Sequence, residues 1–152
     1  VEAMGIEQTR THLAIADISD PAAVESAFAE TIARLGPVRY LVNNAGRSIR
    51  RSVHLSVDRM HDYERTMTLN YFAAVRMILA LLPHMNERRF GHIVNVSSIG
   101  VQTAPPRFSA YVASKAALDA FSRVVASELS SNAKTRTVWL LRSYPTSVAG
   151  TS

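Results

Sequence analysis

Apolar positions along the chain switch repeatedly between two spacings. "HLAIAD" (12–17) is a short apolar run closed by an acid, the pattern of a buried strand. In the next segment, "SDPAAVESAFAETIARLG", Val24, Phe28, Ile32 and Leu35 recur at helical spacing. Ser19 or Asp20 stands where a cap belongs, Pro21 is in the first turn, and Gly36 stops the helix. "VRYLVNNAG" (38–46) predicts a second strand that runs into a glycine turn. After a polar loop, a long helix is expected from about Val57 to Arg88, bent near Pro83. "GHIVNVSS" (91–98) reads as a third strand, and "QTAPPR" (102–107) as a loop, since two prolines fit neither regular element. "SAYVASKAALDAFSRVVASELS" (109–130) is a second long helix and "TRTVWLL" (135–141) a fourth strand.

Strands alternating with helices, without an internal repeat, predict βαβ units and an α/β fold with a parallel, doubly wound sheet of the Rossmann-like kind. Ligands in such sheets sit beyond the carboxyl ends of the strands. That rule gathers Asp17, Asn43, Asn44, Ala45, Gly46, Ser97 and Ser98 along one rim. A length of 152 residues suits one domain over 1–152, and 47% hydrophobic with 19% charged residues is ordinary for a soluble protein. Absence of cysteine excludes disulfides and thiolate metal sites, and the five histidines lack metal-ligand spacing, so no metal is expected. A net charge of +5 admits a polyanionic partner, but the arginines are scattered apart from Arg47, Arg50, Arg51 and the Arg88–Arg89 pair. Nucleic-acid binding is therefore not expected. The longest apolar run, Tyr71 to Pro83, contains Arg76 and falls short of the roughly 20 residues of a membrane span. "VEAMGIEQTR" has no signal-peptide pattern. A cytoplasmic location without an integral membrane span follows as the expectation.

Tyr111 and Lys115 are four apart on the second long helix and share a face. By itself that pair is common and carries no chemistry. A phenol, however, ionises near pH 10, and a nearby ammonium favours the phenolate and brings it toward useful acid–base range. A hydroxyl to hold the substrate oxygen is required as well, and Ser98, at a strand end facing the start of the helix, is in place for it, with Ser97 as the runner-up. Asn70 interrupts a helix of good formers, where its amide competes for backbone hydrogen bonds; a tolerated, solvent-facing asparagine is the plain alternative. A serine hydrolase is disfavoured, because no Gly-x-Ser-x-Gly elbow surrounds Ser97 or Ser98 and no histidine follows them.

Together, "NNAG" (43–46) at a strand end, Asn70 in the following helix, "NVSS" ending the next strand and "YVASK" opening the helix after it resemble the short-chain dehydrogenase/reductase family of classical type. Order and spacing both agree, over roughly residues 11 to 142. The resemblance implies that Tyr111 exchanges a proton with the substrate oxygen while hydride passes to or from a nicotinamide. It implies that Lys115 tunes the tyrosine and holds the nicotinamide ribose, that Ser98 polarises the carbonyl, and that Asn70 anchors a water in a proton relay. Asn43, Ala45 and Gly46 would line the cofactor, and Asp17 would bond the adenine amine. "NNAGRSIRRSV", "HDYERTM", "ALLPHMNERRFGHIVNVSS" and "KAALDAF" further resemble the reductase domain of bacterial long-chain fatty acyl-CoA reductases. Arg47, Arg50 and Arg51 would then meet CoA phosphates or an acyl carboxylate, against the alternative of a solvated loop with local salt bridges.

The resemblance also implies elements that these residues do not show. No Gly-x-x-x-Gly-x-Gly turn for the pyrophosphate is present, nor the family's first two strands, and "WLLRSYPTSVAGTS" matches the family's end poorly. The expectation is an incomplete domain, truncated at both ends, in which the strand at 12–17 either is left apart from that at 39–44, pairs with it directly or borrows a neighbour. The implied cofactor is NADP, with NAD as the alternative; the implied substrate is a small-molecule carbonyl or acyl-CoA. A homodimer or homotetramer through the two long helices is implied too. Two other readings stay open: a ketone or secondary-alcohol dehydrogenase, and an inactive dinucleotide-fold fragment acting only as a dimerising module.

Overall fold

The computed structural model describes residues 11–130 and the backbone of 135–140. Its centre is a three-stranded parallel sheet in the order β1-β2-β3, with β1 at Tyr40–Asn43, β2 at Gly91–Val96 and β3 at Thr135–Leu140. Leu41 lies opposite Ile93, Asn43 opposite Asn95, and Ile93 in turn opposite Thr137. Strands bonded in sequence order need crossovers, and helices supply both of them.

Helix α1 covers Pro21–Leu35 and begins where the Asp20 carboxylate accepts from the Ala22 amide at 3.0 Å. Gly36, at φ +82°, ends it in a conformation that disfavours a side chain. The β1–β2 crossover is a helical run in three parts: α2 at Met60–Met67, a wider π turn at Thr68–Phe72, and α3 at Ala73–Glu87. Irregularity was expected near Pro83, yet α3 continues through that residue and the departure from α geometry lies around Asn70. A short helix, α4, spans Gly100–Thr103, so the expected loop at 102–107 begins only at Ala104. Helix α5, Ser109–Ser130, has the predicted bounds.

Helices α1, α3 and α5 lie on one face of the sheet. Leu41 and Ile93 point into that layer and pack with Ile78, Leu81, Met85 and Leu129, flanked by Phe28 and Phe121. On the other face, Tyr40 and Val42 are 62% and 58% exposed, and the Tyr40 ring stacks on His92 at 4.9 Å. Among the described residues no helix covers that side.

The strand expected at 12–17 is not formed: residues 11–17 take no regular structure, and Ile15 is 95% exposed. A strand exists only through a neighbour's ladder, and no described edge pairs with this segment. Its end is held by a turn, the Asp20 amide donating to the Asp17 carbonyl at 3.0 Å and the Ser19 amide to the Asp17 carboxylate at 2.8 Å. Arg76 in α3 donates to the carbonyls of Ile18 and Ser19. The sequence reading at 141–152 lies outside the described residues.

By length and composition the 28-residue helical run Met60–Glu87, which contains an 18-residue window of mean hydropathy 1.3, is apolar enough to cross a membrane. This run was not expected to pass that test. It carries the core residues Ile78, Leu81 and Met85 and buries Asp62, Thr66 and Asn70 as well, the pattern of a helix packed on a sheet.

Candidate active site

The β1 turn, the π turn, the end of β2 and the start of α5 meet at the carboxyl edge of the sheet. Asn70 joins them. Its Oδ1 accepts from the Arg47 amide at 2.7 Å, and its Nδ2 donates to the Arg47 carbonyl at 2.8 Å and to Ser114 Oγ at 2.9 Å. Ser114 passes the link on by donating to the Tyr111 carbonyl at 2.7 Å. The side chain is 1% exposed and both its amide hydrogens are engaged. Solvent-facing it is not. The π turn is what swings it inward, and such turns recur at functional sites.

Gly46 lies under this clasp. A Cβ at that position would stand 3.3 Å from Asn70 Oδ1, a tighter approach than usual, and 3.5 Å from Lys115 Nζ, an ordinary contact, so the absent side chain lets the turn sit close to Asn70. Lys115 is 3% exposed, and its Nζ donates to the Val96 carbonyl at 2.6 Å. Burial pushes its pKa below the usual lysine value.

Asn44, Gly46, Arg47, Ser97, Tyr111 and Lys115 line a cleft of about 20 Å³, enough for one oxygen-sized guest. Two hydroxyls of this cleft, Ser97 Oγ and Tyr111 Oη, are buried with no hydrogen-bond partner among the described residues. Leaving a buried polar group unpaired costs about 1–3 kcal/mol, so the pair marks a place prepared for a polar guest. Ser98 is also buried, but its Oγ accepts from the Gly100 amide at 3.1 Å and caps the turn into α4; its own proton remains free to donate.

Of the residues singled out in the sequence, Asn44, Gly46, Ser97, Tyr111 and Lys115 therefore share one cleft and Asn70 braces it, while Ser98, the first choice for the substrate hydroxyl, is not among the lining residues. Asn43 does something else. Its amide donates to Asn95 Oδ1 at 2.8 Å, and Asn95 donates to Ser122 Oγ at 2.7 Å, tying β1, β2 and α5 together beneath the rim. Ala45 sits exposed on the turn. Asp17 lines a second, more open cavity of about 340 Å³ with Arg47, Arg65 and Thr68; Arg47 borders both spaces. Asn95, Ser114 and Ser122 were not singled out, and polar residues inside apolar runs were the available signal for all three.

The arginines after the turn divide their roles. Arg51 Nε meets Asp62 Oδ2 at 3.2 Å, and Arg59 and His61 approach the same carboxylate at 3.3 Å each. Burial raises the Asp62 pKa, but the Arg59 hydrogen bond and the charges of Arg59, His61 and Arg51 outweigh it and hold the group below its ordinary value. Arg51 is thus a local salt-bridge partner, while Arg50 is exposed.

Comparison with known proteins assigns the family. The short chain dehydrogenase family model matches residues 1–139, and the chain belongs to that family. A fatty acyl-CoA reductase of Acinetobacter baylyi is 58% identical over 113 residues, 74% of this chain and 38% of its own length. An uncharacterized oxidoreductase of Mycobacterium tuberculosis is 56% identical over 117 residues, 77% of this chain and 34% of its own. The chain thus spans between about a third and two fifths of these curated relatives. Among solved structures, a short-chain dehydrogenase from Streptomyces avermitilis superposes with a TM-score of 0.74 at 35% identity, covering 82% of this chain and 45% of that one. An NAD+-bound xylitol dehydrogenase does so with a TM-score of 0.78 at 26% identity, covering 86% and 49%.

Proposed function

We propose that the chain carries the catalytic core of a reductase that uses NADPH, with NADH as the alternative, to reduce a long-chain acyl-CoA or the corresponding aldehyde. One observation carries the reading: Tyr111 Oη and Ser97 Oγ, both buried and without a hydrogen-bond partner among the described residues, share a cleft with the Lys115 ammonium beside a glycine turn. The name of the Acinetobacter relative supports the substrate class.

The residues present fit a nicotinamide dinucleotide. Gly46 leaves open the space that a Cβ would take beside Lys115, and the cavity of Asp17 and Arg47 adjoins that turn with an acceptor and a cation. Asp17 would hold the adenine amine, Gly46 and Ala45 the adjoining backbone surface, and Lys115 the ribose hydroxyls. When bound, the reduced cofactor supplies the hydride for the carbonyl carbon. Tyr111 Oη donates the proton to the carbonyl oxygen, and the Ser98 hydroxyl, with Ser97 beside it, holds that oxygen in line; an aldehyde then leaves as the alcohol, while an acyl-CoA gives a hemithioacetal whose C–S bond breaks to release the CoA thiol and the aldehyde. Lys115 keeps positive charge beside the phenol as it gives up its proton. Asn70 fixes the turn and α5 in register, so that these groups can close on one substrate oxygen.

A second reading, reduction of a ketone or oxidation of a secondary alcohol, is favoured by the likeness to xylitol dehydrogenase. Cytoplasmic location, and assembly through the long helices where Phe72, Leu79 and Val124 are exposed, complete the proposal. The test is NADPH oxidation by a form extended upstream to include a glycine-rich phosphate turn, offered palmitoyl-CoA and a simple ketone in parallel. Turnover with palmitoyl-CoA is expected; turnover with the ketone alone would move the substrate class to the second reading. Ser97→Ala and Ser98→Ala, compared in the same assay, decide which hydroxyl holds the oxygen.

A further inference from the structure

A third space adjoins the candidate site. It is a groove of about 630 Å³, within the usual range of small-molecule sites, lined by Val53, His54, Pro105, Phe108, Val112 and Ala113 among others. Its two walls are the loop after the β1 turn and the loop before α5, joined by the Arg51 amide donating to the Arg107 carbonyl at 2.7 Å. The Tyr63 hydroxyl and Ser109 Oγ, 2.8 Å apart, add a second tie. Phe108 links the groove to the cleft: it lines the groove and packs in a T-shaped contact with the Tyr111 ring, 6.5 Å between centroids.

Three features indicate what the groove takes. Its lining is mostly apolar, and Val53 and Leu55 continue the apolar surface outward at 60% and 66% exposure. Its charged and titratable members are Arg107 and His54, with no acidic residue among them. The loop that forms one wall holds two non-glycine residues in the left-handed region, Ala104 at φ 45° and Arg107 at φ 72°. Backbone strain of this kind concentrates at functional sites.

We infer that this groove binds the alkyl tail of an anionic amphiphile, a fatty acyl thioester of a phosphorylated carrier, with the thioester directed past Phe108 toward Tyr111. This deepens the proposed function by assigning a subsite for the tail. An apolar lining without acids suits an alkyl tail whose far end bears phosphates, and continuity through Phe108 puts the reacting carbon at the cleft.

The test needs neither cofactor nor turnover, so its failure is separate from failure of the reductase reading. Dansyl-labelled undecanoic acid is titrated into the protein by fluorescence and then displaced with palmitoyl-CoA or palmitate. Val53→Asp and Ala113→Glu place carboxylates on exposed groove positions, and Val42→Asp places one on the bare sheet face as a control. Saturable binding is expected, displaced by palmitoyl-CoA and weakened about tenfold or more by either groove variant, because a carboxylate against an alkyl tail is left desolvated and unpaired. The control is expected to bind as the wild type does. Binding indifferent to both groove variants, lost in Val42→Asp, absent altogether, or displaced by palmitate alone would overturn the inference.

Discussion

Ile93 and Val42 belong to adjacent strands of one sheet, and both stand within apolar runs. Ile93 is fully buried under α3 and α5, while Val42 is 58% exposed on the opposite face. A like contrast holds between the carboxyl edge of the sheet and the segment at 11–17. At the carboxyl edge, Asn70, Asn95, Ser114 and Ser122 are buried and bonded to one another or to backbone. At 11–17, Leu13 and Ile15 face outward. The difference teaches that an apolar run records what a segment is suited to, whereas its neighbours decide what becomes of it. Strands of parallel sheets read as continuous apolar stretches, so the pattern alone does not say which face is covered.

The largest effect expected from this contrast is in the core. Ile93→Ala should cost about 2–5 kcal/mol in chemical denaturation, whereas Val42→Ala on the bare face should stay within about 0.5 kcal/mol. Equal losses would erase the distinction between the faces. Next comes Asn70→Ala, which removes three hydrogen bonds at about 1 kcal/mol each. A loss of about 3 kcal/mol is expected, and a neutral result would show that the clasp over Gly46 does not hold the edge together.

Asp62 gives a smaller, pH-dependent effect. Its folded pKa is lowered, so the stability it contributes is present above the unfolded value of about 4 and is lost as pH falls through the folded one. Asp62→Asn should therefore destabilise the protein at neutral pH, with the gap to wild type closing in acid. A gap that does not change with pH would mean that the arginines contribute no charge pairing.

Part of the site was legible because its chemistry-bearing residues carry fixed spacing: Tyr111 and Lys115, four apart on α5, share one cleft, but the serine that lines it with them is Ser97 rather than the first choice, Ser98, whose Oγ caps the turn into α4. Helix α5 was legible in full, since its ends and period agree. The segment at 12–17 was misread as a strand, because pairing is a property of the partner edge. The irregularity of the crossover helix was assigned to Pro83, the strongest local breaker, while the tertiary hydrogen bonds of Asn70 mark it ten residues or more earlier. No local pattern reveals that Asn43 bonds Asn95 across 52 positions. Nor does one show that Arg51 is drawn to Asp62.

The central claim is that the cleft at Tyr111 transfers a proton in step with hydride transfer. The most direct measurement follows deuterium from C4-labelled NADPH into the product of a fatty aldehyde, comparing the extended form with its Tyr111→Phe variant. Label transfer that falls about 10²–10⁴-fold in the variant, with its fold unchanged by circular dichroism, is the predicted result. Transfer at the wild-type rate without the hydroxyl would contradict the account.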